Sequence, residues 1–248
     1  MTDNNGVRVE QVTPYGEGAK TEQVRQMFDS IAPAYDFMNR AMTLGIDIWW
    51  RRLAVKRLRP LKPAKILDVA TGTGDFAIQL NTSLKPQHIT GIDLSQGMLD
   101  EACRKVKEKG LEKVITFEQG DCMALPMADE SYDAVTVAFG VRNFEHLLQG
   151  YKEMARVLKP GGILCVLELS TPTNRLIRWF YDIYTLHIIP WLGSLKSGEK
   201  NAYRYLPQSI AAVPQGDDML QLMRDAGLRD TKCKRLTLGV YTIYTAMK

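Results

Sequence analysis

From Lys65 onward the chain alternates short, almost wholly apolar runs with longer amphipathic stretches. Ile66–Ala70, His88–Ile92, Val114–Phe117, Ala134–Ala138 and Ile163–Leu167 read as buried strands, with helices between them at about Asp75–Asn81, Gln96–Lys109 and Leu147–Leu158. Strands that are apolar on both sides need cover on both faces, so this alternation predicts an α/β fold with a parallel sheet between helices. Ahead of it, Val24, Met27, Phe28 and Ile31 recur at helical spacing, and Pro33 is expected to limit that helix. A second helix over Asp47–Leu58 sets Trp49, Trp50 and Leu53 against Arg51, Arg52, Lys56 and Arg57. After the alternating region come an aromatic-rich segment, Asn174–Tyr205, and a helix around Asp217–Ala226 ended by Gly227. Two final strand-like runs, Lys232–Leu238 and Tyr241–Met247, are separated by Gly239 and are expected to pair antiparallel at the sheet edge. The expected organisation is a flexible stretch 1–20 and one domain over 21–248, with 21–60 as a helical cap and 174–212 as a helical lid.

At 248 residues and 45% hydrophobic the chain can bury one sizeable core. The net charge of +4 comes without a Lys/Arg block, so no nucleic-acid partner is expected. Cys103, Cys122, Cys165 and Cys233 lie without CxxC or Cys/His spacing, which suits reduced thiols in the cytoplasm and excludes a sequence-encoded metal site. The polar N-terminus has no secretory pattern, and no stretch reaches the ~20 apolar residues of a membrane span. A membrane would be met only from its surface, peripherally.

Within the first strand-to-helix junction, Ile66-Leu67-Asp68-Val69-Ala70-Thr71-Gly72-Thr73-Gly74-Asp75 sets a Gly-x-Gly turn directly after a strand. Gly72 and Gly74 let the backbone pass close to a ligand. About twenty residues on, Asp93 ends the next strand, the place from which a carboxylate accepts hydrogen bonds from ribose hydroxyls. Gly72, Gly74 and Ala77 also fit a dinucleotide pattern. Against that reading, Asp75 would place a carboxylate beside a pyrophosphate at the helix mouth. Gly120-Asp121-Cys122 ends a third strand and offers an acceptor and a backbone donor to an adenine edge. S-adenosylmethionine is therefore the expected cofactor.

These residues resemble the core of the class I S-adenosylmethionine-dependent methyltransferases, which are Rossmann-like with a seven-stranded, mostly parallel sheet closed by an antiparallel C-terminal hairpin. Two stretches narrow the resemblance. Tyr35-Asp36-Phe37-Met38-Asn39, followed by Met42-Thr43 and Trp50, is similar to the N-terminal signature of the UbiE/MenG (COQ5-like) quinone-biosynthesis C-methyltransferases. Arg156-Val157-Leu158-Lys159-Pro160-Gly161-Gly162 with Glu168-Leu169-Ser170 is similar to their second signature, and Phe139-Gly140-Val141-Arg142-Asn143 to the motif after the fourth strand. Thr43, Asp47 and Ala138 depart from the residues usual there, Ser, His and Ser. The resemblance implies C-methylation of a polyprenylated quinol, either demethylmenaquinol or the benzoquinol of ubiquinone synthesis. It also implies cofactor contacts from Asp68, Thr71, Gly72, Thr73, Gly74, Asp93, Asp121 and Cys122. Another lipophilic phenol as acceptor, or a catalytically silent cofactor-binding subunit, stays open, as does a homodimer.

Methylating a quinol carbon requires the ring to carry phenolate charge, so the site needs a base or a fixed cation. Arg142 offers the cation; its alternative is an ion pair with a carboxylate such as Glu145. His146 offers a base, or simply an exposed helix start. Tyr35, Asn39 and Asn143 are expected near the quinol head group, while His88 and His187 read as structural. For the prenyl tail, Leu176, Ile177, Phe180, Ile183, Tyr184 and Ile188 form an apolar stripe interleaved with Arg175, Arg178 and Asp182, and Pro190-Trp191-Leu192 adds a further apolar turn. Phe180 and Tyr184 are the expected tail contacts on that stripe.

Overall fold

The computed structural model describes residues 8–188 and 200–248, leaving the side chains of His187 and Lys200 aside, so Pro190–Leu192 and the His187 side chain lie outside the described residues. Strands β1 (Lys65–Val69), β2 (His88–Asp93), β3 (Ile115–Gln119), β4 (Tyr132–Ala138), β5 (Leu158–Leu169), β6 (Arg229–Leu236) and β7 (Tyr241–Met247) form one sheet in the order β3-β2-β1-β4-β5-β7-β6. The first five are parallel; β7 runs antiparallel between β5 and β6. The order reverses between β1 and β4, and their C-terminal ends therefore part to leave a crevice. Helices α3 (Asp75–Leu84), α4 (Gln96–Glu108) and α5 (Leu147–Val157) are the crossovers, and α8 (Asp217–Asp225) leads into the hairpin. One buried cluster joins Leu67, Val69, Val135 and Val137 to Tyr151 and Met154 of α5, and another joins Ile66, Ile89 and Ala134 to Phe76 and Leu80 of α3. The two-sided burial read from the apolar runs is thus realised, with one correction: in β3 only Ile115 is buried, because that strand lies at the sheet edge.

The N-terminal cap consists of α1 (Lys20–Thr43) and α2 (Ile46–Leu58). Pro33 does not limit α1, which runs through it for 24 residues. Pro33 is exposed, so the carbonyl it leaves unpaired can turn to water, while Val24, Met27, Ile31 and Met38 anchor the helix on both sides. Residues 8–19, expected to be flexible, are tied down instead. Val9 is buried, the Gln23 amide donates to the carbonyls of Gly16, Glu17 and Gly18, and the Lys20 ammonium donates to the carbonyls of Val9 (2.6 Å) and Arg142 (3.1 Å). The segment after β5 supplies α6 (Arg175–Ile183), continued by a π-turn at Tyr184–Ile188, and α7 (Lys200–Ala212). No residue of α6 is buried, as befits a lid laid on the surface.

Candidate functional site

Two cavities meet above the sheet, one at the C-terminal ends of β1, β2 and β4 and the other under the cap and lid. Gly72, Asp93, Asp121, Cys122, Phe139, Gly140 and Asn143 line the first, with Val24, Phe28 and Tyr35 of α1 closing it. Asp93 is fixed from below: its Oδ2 accepts from the Gly72 N–H (2.8 Å) and its Oδ1 from the Ser95 N–H (3.0 Å), and burial raises its carboxyl above the ordinary range. Each oxygen keeps a lone pair for a ribose hydroxyl. Gly72 has φ +56, and a Cβ built on it meets no protein atom within 4 Å. The space beside the turn is therefore open for a ligand. On the far side Asp121 turns back on its own loop, accepting from the Met123 N–H at 2.9 Å, and burial pushes the Cys122 thiol up so that it stays neutral. A buried carboxylate with lone pairs to spare, a bare-backbone turn and an apolar wall fit S-adenosylmethionine.

Four of the eight expected cofactor contacts hold the turn and do not line the cleft. Asp68 is 1% exposed and accepts from the hydroxyls of Thr71 (2.7 Å) and Thr136 (2.6 Å); its burial raises its carboxyl to about 6 despite those bonds. Thr71 is therefore committed to Asp68. Thr73 donates to Asp36 at 2.6 Å and accepts from Lys105 at 3.1 Å. A Cβ on Gly74 would stand 2.9 Å from Phe117 and 3.0 Å from Ala102, so this glycine permits helix packing rather than ligand approach. Sequence spacing marks the whole turn, but only tertiary packing decides which of its faces the ligand meets.

The second cavity, about 380 Å³, is lined by Tyr35, Asn39, Met42, Trp50, Arg51, Phe139, Arg142, Ile177, Phe180, Tyr181 and Tyr184 among others. Tyr35 and Phe139 form the wall it shares with the cofactor cleft. Arg142 lies in a short 3-10 turn after β4 and is 6% exposed. Its partner is Glu168 at the end of β5 (2.8 Å), not the neighbouring Glu145, which instead accepts from the backbone N–H and hydroxyl of Thr21. A second donation goes to the Phe139 carbonyl, and the Nε of Arg142 has no hydrogen-bond partner among the described residues. Burial opposes its charge, but Glu168 together with Tyr35 and Tyr205 outweighs it and holds the guanidinium protonated. Burial also raises the Tyr35 hydroxyl, against Arg142 and Asn39, so Tyr35 stays neutral. The Asn143 Oδ1 is likewise buried and unpartnered. His146, the expected base, is exposed at the start of α5 and lines neither cavity. The Tyr184 ring lines the cavity while its hydroxyl donates to the Met42 carbonyl (2.6 Å), joining lid to cap.

Sequence reasoning missed a charge network beside this cavity. Asp47 accepts from Arg51 (2.7 Å) and Arg40 (3.0 Å), Arg40 reaches Asp75 (2.9 Å), and Lys105 bridges Asp75 (2.5 Å) to Asp36 (2.7 Å). Burial works against ionisation of Asp75, but Lys105, Arg51 and Arg40 overcome it and hold its carboxyl below the usual range. The two unusual residues of the N-terminal signature belong together here, since the Thr43 hydroxyl donates to Asp47 at 2.9 Å. Arg51 also lies over the Phe139 ring at 5.6 Å. The Asp47–Arg51 spacing of one helical turn was the only local signal for any of this.

Comparison with known proteins agrees with the geometry. The family model described as the ubiE/COQ5 methyltransferase family matches residues 17–248. Demethylmenaquinone methyltransferase of Bacteroides fragilis is 49% identical over 240 residues, covering 96% of this chain and 98% of that one. The ubiquinone/menaquinone biosynthesis C-methyltransferase UbiE of Geobacter sulfurreducens is 43% identical, covering 96% and 93%. Among solved structures, a methyltransferase of Thermotoga maritima superposes with a TM-score of 0.65 at 19% identity over 90% of this chain and 99% of that one. The [4+2]-cyclase SpnF superposes at 0.61 with 21% identity over 92% and 96%, so the fold alone does not select a reaction. With its own motifs, its two adjacent cavities and a matching family model over nearly its full length, the chain belongs to the ubiE/COQ5 methyltransferase family.

Proposed function

We propose that this enzyme methylates a ring carbon of a polyprenylated quinol, converting demethylmenaquinol to menaquinol, with the benzoquinol of ubiquinone synthesis as its second acceptor. The observation that carries the reading is the shared wall: Tyr35 and Phe139 border both the ribose-seating cleft and an apolar cavity of about 380 Å³. An aromatic ring in the second site lies beside whatever methyl donor fills the first. S-adenosylmethionine, when bound, supplies an electrophilic methyl group on a sulfonium. The residues of the chain have two tasks left. The first is to hold the acceptor carbon ~3–3.5 Å from that methyl and in line with it, which falls to the rigid walls of the cavity. The second is to favour the ionised quinol, whose charge spreads onto the ring carbon, which falls to the permanently charged Arg142. As the new carbon–carbon bond forms the ring carbon gives up its hydrogen and the hydroxyl is restored, so each turnover releases one proton.

The test is methyl transfer from labelled S-adenosylmethionine to a short-chain demethylmenaquinol and, separately, to the matching benzoquinol under reducing conditions. Product from the naphthoquinol at a rate equal to or above that from the benzoquinol is expected. Tight binding of S-adenosylhomocysteine with no product from either quinol would mean another acceptor.

The prenyl tail leaves between α6 and the α1–α2 junction, where Leu44, Ile46, Ile177 and Phe180 line the cavity. Along α6 and its π-turn Leu176 is 68% exposed, Trp179 57%, Phe180 60% and Leu186 55%, with Arg175 and Arg178 exposed on the same helix. Our reading is that this face rests peripherally on the bilayer that holds the substrate, with the arginines toward anionic head groups. Each buried aromatic is worth about 1.5–3 kcal/mol. Trp179→Ser is therefore expected to weaken binding to phosphatidylglycerol vesicles about tenfold or more in a sedimentation assay. Unchanged vesicle binding, with a variant that loses a concentration-dependent dimer, would reassign the face to a second copy of the chain.

A further inference from the structure

Two lid tyrosines near Arg142 have no role in the reading above. The hydroxyls of Tyr181 in α6 and Tyr205 in α7 are buried and have no hydrogen-bond partner among the described residues. Tyr205 is 3% exposed. Leaving one buried hydroxyl unpaired costs stability, and two beside one buried cation are not explained by packing. Tyr181 lines the acceptor cavity; Tyr205 lines an adjoining recess that shares Tyr35, Asn39, Met42, Arg142 and Leu206 with it. Both hydroxyls lie within electrostatic reach of Arg142, whose own Nε is unpaired. Tyr184, on the same lid, differs: its hydroxyl is taken up by the Met42 carbonyl.

We infer that Tyr181 and Tyr205 donate, together with Arg142, to the ionised ring oxygen of the aromatic acceptor and so form the pole that makes it nucleophilic. The inference rests on the phenolic-acceptor reading above. A phenolate oxygen has three lone pairs, and two O–H donors with a guanidinium N–H would satisfy them. Burial pushes both tyrosines above their ordinary range, and Arg142 only partly offsets it, so at neutral pH both remain protonated donors. They bind the ionised oxygen without taking its proton, which passes to solvent. Because the donors come from the lid, the pole is complete only when α6 and α7 are seated over the cap, and this couples lid placement to reactivity.

The experiment uses the full chain with S-adenosylhomocysteine and 2-naphthol, whose ionisation is read by absorbance. In the wild type the bound naphthol is expected to ionise at least about one pH unit below the free molecule, a tenfold preference for the ionised form. Tyr181→Phe and Tyr205→Phe should each give back part of that shift, and the double variant most of it, with neutral naphthol bound within twofold of wild type. Both single variants should melt at or above the wild-type temperature, since the oxygen removed had no partner, while kcat for the quinol falls at least tenfold with KM little changed. Wild-type ionisation unshifted by binding, Phe variants that keep the full shift and kcat, or variants that melt several degrees lower would each overturn the inference. Wild-type protein that ionises naphthol but methylates neither quinol would leave the pole standing and remove only the quinol reading.

Discussion

Asp93→Ala is expected to weaken S-adenosylhomocysteine binding by at least about a hundredfold and to reduce methyl transfer in proportion. A ribose diol seated on a carboxylate makes two charge-assisted hydrogen bonds of about 1.5–3 kcal/mol each, so losing both removes about 3 kcal/mol or more. Each tenfold in affinity corresponds to about 1.4 kcal/mol. The substitution also strips the Gly72 and Ser95 N–H groups of their acceptor, which loosens the turn itself. Asp93→Asn separates the two contributions, because it keeps one acceptor oxygen and the shape of the side chain while losing the charge. It should fall between alanine and wild type. Calorimetric titration with S-adenosylhomocysteine measures the loss directly, and the thermal stabilisation that the ligand confers should shrink with it. An affinity for S-adenosylhomocysteine within threefold of wild type in the alanine variant would show that the ribose is held elsewhere.

The second large effect is at Arg142. Arg142→Met leaves Glu168, 1% exposed, as a buried carboxylate without its cation, and breaking such a pair costs about 3–5 kcal/mol. At this chain length each kcal/mol lowers the melting temperature by about 2–4 °C, so a fall of roughly 10 °C is expected, together with loss of activity of a hundredfold or more. Loss of activity in an unstable variant proves little. The informative variant is therefore Arg142→Met with Glu168→Gln, where the amide oxygen can still accept from the Leu169 backbone N–H while no buried charge remains. Its melting temperature should return most of the way to wild type, with methyl transfer still absent. Recovery of activity along with stability would show that Arg142 is only a structural partner of Glu168. Such an outcome would also remove the basis for assigning Arg142 to the acceptor oxygen.

Much of the architecture was legible because its signals are local. The β–α alternation from Ile66 to Leu167, the Gly-ended helix before β6 and the hairpin around Gly239 are patterns of a few residues repeated at a fixed period. Pro33 misled because a proline rule ignores exposure: the lost bond faces water and the flanking apolar residues hold α1 together. The buried reading of Val114–Phe117 held only at Ile115, because edge position is a property of strand order, which no short run encodes.

The sequence by itself determined the class of the protein and the meeting of its glycine turn with the carboxylate of the next strand end. A strand, a tight glycine turn and a carboxylate at the next strand end suffice to place Gly72 beside Asp93, since parallel neighbours in register bring those ends together. Only the tertiary structure decided what each polar group does there. Arg142 pairs with Glu168, 26 residues on, because β4 and β5 lie side by side; Asp68 and Thr73 face other protein groups rather than the cleft. His146 lies outside, and the hydroxyls of Tyr181 and Tyr205, unpaired among the described residues, come to Arg142 from a lid far along the chain. Hydrophobic period is written residue by residue and can be read so, whereas the partner of a buried charge is chosen by packing between distant elements and leaves no local trace.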